Sequence, residues 1–139
     1  MQSWLRPFEH TADVGFVVTA ANLAELFARA AWGLFDLLTD LETVRPRERS
    51  ALSVTAEDRG ALMVRWLSEL NFLHQTEHRL LCRFEVDQAS ETRLTAQAWG
   101  ERIDPARHTV RTEIKAVTFH GLSVEQADGV WTARILFDV

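Results

Sequence analysis

A single cysteine, Cys82, stands in the 139-residue chain. Its solitude excludes an intrachain disulfide and a cysteine cluster for zinc. Its place in the apolar run Leu80-Leu81-Cys82-Arg83-Phe84 predicts a buried, unreactive thiol. Long apolar runs are missing too: none approaches the roughly 18–20 residues that cross a bilayer, and Met1-Gln2-Ser3-Trp4-Leu5-Arg6 has no apolar leader core. A cytoplasmic location and no membrane partner are therefore expected. The six glycines are scattered and form no phosphate loop, and neither HExxH nor GxSxG occurs. Nothing points to an ATP, GTP or dinucleotide site, and no nucleophile stands in a recognisable catalytic context. The net charge of −5, without a long basic run, argues against a domain that grips nucleic acid by itself. The densest basic stretch, Arg45-Pro46-Arg47-Glu48-Arg49, is broken by a proline and a glutamate. It reads as a solvated loop, with a docking patch as the alternative. Repeats, low-complexity segments and linkers are absent, so residues 1–139 are expected to form one domain.

What is present is ordinary globular material. With 47% hydrophobic and 25% charged residues, the chain can close a core without staples. Asn22 followed by Glu25 approximates a capping box. From there Leu23, Leu26, Phe27, Ala30, Leu34, Leu37 and Leu38 recur at helical spacing, predicting a helix that stops near Thr39-Asp40. A second helix is predicted from about Asp58, with Leu62, Trp66, Leu67, Leu70 and Leu73 as its apolar stripe and an exit at Gln75-Thr76-Glu77. Strands are predicted at Phe16–Ala20, around Leu52 and Val54, at Leu80–Val86 and at Leu94–Trp99. The alternation of Val110, Thr112, Ile114 and Ala116 predicts another, and that of Trp131, Ala133, Ile135 and Phe137 the last. Asp128-Gly129 is a hairpin signal. Two helices among mostly consecutive strands give an α+β fold, the helices packed on a largely antiparallel, layered sheet system.

Polarity concentrates in Glu9-His10-Thr11-Ala12-Asp13-Val14-Gly15 and in the closing Phe137-Asp138-Val139. If these segments meet, Asp13, Asp138 and the main-chain and terminal oxygens of Val139 form an all-oxygen, negative cluster. Such a cluster suits calcium, or another hard divalent cation such as magnesium or manganese. His10 and Thr11 are candidates to hold the carboxylate from behind, and so is His120. Two other readings stay open: Thr11 and Asp13 simply hydrogen-bond the local backbone, or His10 and Asp13 act as an acid/base pair. Lys115 reads either as a solvated lysine or as a cationic contact to phosphate or to a partner's carboxylate. His120 fits a hydrogen-bonded histidine at a strand end better than a ligand. His74 and His78 are four apart, but the expected helix exit between them disfavours zinc.

Several segments together resemble the archease family, the small protein cofactors of RtcB-type RNA-splicing ligases. They are Phe8-Glu9-His10-Thr11-Ala12-Asp13-Val14-Gly15, Leu23-Ala24-Glu25-Leu26-Phe27 and Leu62-Met63-Val64-Arg65-Trp66-Leu67-Ser68-Glu69-Leu70. The likeness continues through Gly100-Glu101-Arg102-Ile103-Asp104 with His108, Ile114-Lys115-Ala116-Val117-Thr118-Phe119-His120 and Ile135-Leu136-Phe137-Asp138-Val139. The resemblance implies a non-catalytic activator that promotes ligase guanylylation and turnover in tRNA splicing and RNA repair, reaching RNA only through the ligase. It implies calcium held by Asp13, Asp138 and Val139, with Glu9 and Lys115 contributing to activation. Glu9 stands where aspartate is common in that family, and Ala20-Ala21-Asn22 lacks the acidic or glycine residues often found there. A metal-dependent phosphoester hydrolase and a general protein chaperone are the alternative functions. The oligomeric state is not legible.

Overall fold

The computed structural model describes residues 2–10 and 13–139. Along them run strand β1 (Leu5–His10), β2 (Asp13–Ala20), helix α1 (Leu23–Leu38), a 3-10 turn (Leu41–Thr43), β3 (Glu48–Thr55), helix α2 (Arg59–Glu77), β4 (Arg79–Ala89), β5 (Arg93–Arg102), β6 (Ala116–Ala127) and β7 (Val130–Asp138). The strands form a four-stranded sheet in the order β1-β2-β7-β6 and a three-stranded sheet in the order β3-β5-β4. Every pairing is antiparallel. The fold is α+β, as the sequence pattern predicts.

The two helices fill the space between the sheets. Helix α1 packs on β2 and β7 on one side and on β4 on the other, while α2 packs on β6 and on the smaller sheet. That position explains the composition of α1. Leu26, Phe27, Ala30, Ala31, Leu34, Phe35 and Leu38 are all fully buried, because a helix covered from both sides must be apolar over most of its circumference. Each large apolar side chain removed from water in this layer contributes about 1.5–3 kcal/mol. Trp66 ties the helices together: it is fully buried, and its indole N–H donates to the Phe27 carbonyl at 2.9 Å.

Local chemistry sets the element ends. The Asn22 side chain accepts from the Glu25 N–H at 2.9 Å, and Asp58 accepts from the Ala61 N–H at 2.8 Å. Both supply an acceptor to otherwise orphaned first-turn donors. The β6–β7 hairpin turns at Asp128 and Gly129, with φ of 51° and 77°, the left-handed pair that a tight two-residue hairpin requires.

Two expectations are corrected. Residues 110–115 are not a strand, and only Ala116 of the alternating set belongs to one, in β6. The segment crosses between the sheets, so its polar backbone and side-chain groups find helix ends and a strand end as partners. The Arg111 N–H donates to Leu38 O at 2.8 Å and the Lys115 N–H to Asp138 O at 2.8 Å, while the Arg111 guanidinium donates to the carbonyls of Asp36 and Thr39. No strand is expected before Phe16, yet Leu5–His10 form strand β1. It is a rim strand, where Pro7 is tolerated without breaking a central ladder. Helix α2 ends at Glu77, within the expected exit Gln75-Thr76-Glu77, and His78 is its left-handed cap with φ 54°.

Asp58→Ala removes the α2 cap acceptor and is expected to lower stability by about 1 kcal/mol. Urea titration should show a lower midpoint with an unchanged slope; a midpoint within error of the parent would contradict the cap's role.

Candidate metal and docking site

The antiparallel register of β2 and β7 places Asp13 directly opposite Asp138, followed by Val14 opposite Phe137. Along these strands Phe16, Val18, Ala20, Ala133, Ile135 and Phe137 are buried against the helices. The pleat therefore turns both aspartates to the outer face. Directly opposed residues on one face have Cβ atoms about 4.5–5.5 Å apart, and like charges in that position repel. Gly15 lets the strands close up beside the pair, since a Cβ there would run into the main-chain oxygen of Ile135. Asp13 is half-buried, Asp138 exposed and Val139 half-buried.

The other expected residues distribute around this pair. His10 occupies the β1 position paired with Asp13; its side chain lies outside the described residues, as does Thr11. Glu9 pairs with Val14, so the pleat assigns it to the opposite face from Asp13. It is exposed. Lys115 is also exposed and adjoins Asp138 through the main-chain bond already described. With Asn71, Phe72 and Gln75 of α2 it lines a surface cavity of about 230 Å³. The segment that presents it is pinned from beneath: Ile114 is fully buried, and its carbonyl accepts from the side-chain amides of Asn71 at 2.9 Å and Gln75 at 2.8 Å. His120 is exposed in the interruption of the β6–β7 register between Thr118 and Ser123. Its N–H donates to the Thr118 hydroxyl at 2.9 Å. His74 is buried and its Nδ1 meets the Arg79 carbonyl at 2.9 Å, whereas His78 is exposed.

Among the described residues no group of three or more His, Cys, Asp or Glu side chains is placed to hold a metal ion. The Asp13–Asp138 pair supplies two carboxylates, and a third protein oxygen would have to come from the main chain. Cys82 is half-buried rather than fully buried. Burial and then the nearby Glu101 charge push its thiol above the ordinary value, leaving less of the reactive thiolate at neutral pH.

A second polar cluster escaped the reading of the residues. Glu101 is 4% exposed and His108 5% exposed. The Glu101 carboxylate accepts both Arg107 Nη atoms, at 2.8 and 2.7 Å, and the Arg45 N–H at 2.7 Å. The Asp104 N–H donates to His108 Nδ1 at 2.8 Å, which fixes Nδ1 as the acceptor and puts the imidazole proton on Nε2. Nε2 then donates toward Glu101 at 3.1 Å and the Thr43 carbonyl at 3.2 Å. The cluster bolts the start of the crossing segment to the small sheet. Its only advance signals were the adjacent Arg107-His108 and the Gly100-Glu101-Arg102-Ile103-Asp104 run, neither of which tells which groups pair.

Two antiparallel sheets enclosing two helices, with an acidic pair where the first and last long strands adjoin, define a small α+β protein class. The chain belongs to the Archease protein family (MTH1598/TM1083), whose family model matches residues 6–139. It is 40% identical over 134 residues to the protein archease of Methanopyrus kandleri, covering 94% of this chain and 96% of that one. It is 38% identical over 135 residues to the protein archease of Methanothermobacter thermautotrophicus, covering 95% and 96%. The solution structure of Methanobacterium thermoautotrophicum protein 1598 superposes with a TM-score of 0.84 at 36% identity, covering 99% of this chain and 100% of that one. A crystal structure from Thermotoga maritima, described as an archease and possible chaperone, shares the fold at a TM-score of 0.53 and 22% identity over 96% of each chain.

The Arg107 hydrogen bonds, outweighing burial, hold the Glu101 carboxyl down to about 2 from an ordinary 4.5. A carboxyl lowered on folding stabilises the fold fully above its unfolded pKa, and that stabilisation is lost as pH falls from about 4.5 toward about 2. Urea melts across this window should show the loss in the parent and a flatter dependence in Glu101→Gln, with faster amide exchange in residues 103–108. Parallel pH profiles in the two proteins would refute the assignment.

Proposed function

We propose that the chain is a non-catalytic protein cofactor of an RtcB-type RNA-splicing ligase, promoting its guanylylation and turnover in tRNA splicing and RNA repair. The observation that carries this reading is the register of Asp13 opposite Asp138, with Lys115 adjoining them at the start of β6. Two carboxylates facing each other across neighbouring strands repel, and a cation relieves that repulsion. The donor set is oxygen without sulfur or imidazole, which fits a hard divalent cation such as calcium, or magnesium or manganese in its place. Asp13, Asp138 and the main-chain oxygen of Val139 would hold it. When bound, the cation supplies positive charge and Lewis acidity toward phosphate oxygens.

The remaining work falls to the chain's own residues. Lys115 presents a mobile ammonium that can neutralise a partner's phosphate or carboxylate. Asn71 and Gln75, holding the Ile114 carbonyl, keep that segment in place, so the charge is delivered without first ordering a loop. Glu9, on the opposite face of β1 from the aspartate pair, is assigned a contact to the partner rather than to the cation.

The test is reconstitution with a matching ligase already shown to be competent. Added to ligase and GTP, the chain should accelerate formation of the guanylylated ligase. Calorimetric calcium titration should show affinity lowered at least about tenfold in Asp13→Ala and in Asp138→Ala. Lys115→Ala should slow guanylylation while leaving calcium affinity unchanged. No acceleration by the parent chain would sink the activator role. Suppression of aggregation of unrelated proteins, unaffected by Asp13→Ala, would favour a general chaperone instead.

A further inference from the structure

The outer face of the small sheet is covered by neither helix, and its central feature is an indole between two arginines. Trp99 on β5 pairs with Arg49 on β3 and with Arg83 on β4, so the three side chains share one face in a row across the sheet. Trp99 is half-buried and both arginines are exposed. The Arg83 guanidinium lies over the indole, 4.6 Å from its centroid, so a planar cation occupies the position that a stacked nucleobase takes.

The charges in this row are incompletely neutralised. Among the described residues Arg49 meets only a neutral partner, the Gln97 side-chain oxygen at 2.8 Å. Arg83 is paired with the exposed Glu85 at 3.0 Å, a surface pair of small net worth that a stronger ligand can displace. Arg47, just before β3, reaches Glu101 only at 3.9 Å, and Glu101 is already bound by both Nη atoms of Arg107. Beyond the row lies a surface cavity of about 340 Å³ with Arg47, Arg102 and Arg107 in its wall, matched by Glu48, Glu101 and Asp104. An aromatic platform flanked by arginines, with Arg47 at its rim, matches the chemistry of single-strand binding: bases stack on the ring while guanidinium groups track the phosphates.

We propose that the Arg49–Trp99–Arg83 face binds single-stranded polynucleotide, stacking a base on Trp99 and holding the adjoining phosphates with Arg49 and Arg47. The site gives this chain its own contact with RNA, whereas the family resemblance implied contact only through a ligase. It also changes the reading of Arg45-Pro46-Arg47-Glu48-Arg49 from a solvated loop to the rim of a binding face. The net charge of −5 is compatible with this, because Arg49 and Arg83 with Arg47 beside them stand against two nearby carboxylates, Glu85 on Arg83 and Asp87 on Gln97. The site stands whether or not the chain activates a ligase.

The experiment is fluorescence anisotropy of a fluorescein-labelled oligouridylate of about 12 nucleotides, a length within single-strand site sizes, titrated with the whole chain. Binding is expected below about 100 µM protein at low salt, weakening about fivefold between about 50 and 150 mM salt if two phosphates are neutralised. Trp99→Leu should weaken it at least about fivefold through lost stacking. Arg49→Glu, at an exposed position that leaves the core untouched, should weaken it about tenfold or more. Thermal melts check that both variants are folded, and Arg49→Glu decides the matter alone if Trp99→Leu is not. Absence of binding at about 100 µM in low salt, the upper range of non-specific affinity, would overturn the proposal. So would unchanged affinity in Arg49→Glu, or in a folded Trp99→Leu. A duplex of the same length binding as tightly as the single strand would overturn it too, because paired bases cannot stack on the indole.

Discussion

The pairing of β2 with β7 is the constraint on which the molecule turns. It joins the beginning of the chain to its last strand, and it gives α1 the apolar floor of Phe16, Ile135 and Phe137 on which to lie. It also has a local electrostatic consequence. Phe137 must face the core, so the next residue, Asp138, must face outward. The register that buries Phe137 opposite Val14 puts Asp13 opposite Asp138. A slip of one residue would separate the carboxylates and would also turn the apolar set of β7 outward. The acidic pair is therefore held in place by the free energy of the core rather than by any interaction of its own.

The crossing segment joins the two sheets in a different way. At its start Glu101, Arg107 and His108 form a buried, fully partnered ionic cluster on the small sheet. At its end Ile114 is buried, and Lys115 bonds to the strand that carries Asp138. A buried ion pair is poor evidence for stability in itself, but removing one partner leaves an uncompensated charge. Its contribution here is to fix where an otherwise irregular stretch leaves the small sheet, and so where Lys115 arrives on the large one.

What could be read in advance was what local chemistry decides. Asn22 with Glu25, Asp58, and Asp128-Gly129 set their boundaries through bonds within a few residues, and the helical and alternating patterns marked both helices and five of the seven strands among the described residues, leaving β1 and the body of β6 unmarked. The errors share one cause, namely partners distant in sequence. Val110 to Ala116 alternate as a strand would, yet alternation cannot tell a paired strand from an extended connection whose bonds go to helix ends. Strand β1 went unmarked because nothing local shows that the stretch around Pro7 pairs at a sheet rim. The site divides in the same manner: Asp13 and Asp138 were visible as two unusual polar ends, while Glu101 and Arg107 look like ordinary solvated charges until the fold closes over them.

Strand β6 runs for 12 residues along the rim of the large sheet, long enough to template another copy of itself. Its ladder with β7 is broken between Thr118 and Ser123, and Gly121 within that break takes a φ of +66°. An incoming strand would meet two short rows of free main-chain groups out of step with each other, instead of one continuous row. The kink thus guards against edge-to-edge polymerisation. The same interruption leaves the Phe119 ring in solvent, and the protection would be forfeited by any sequence change that straightened the rim.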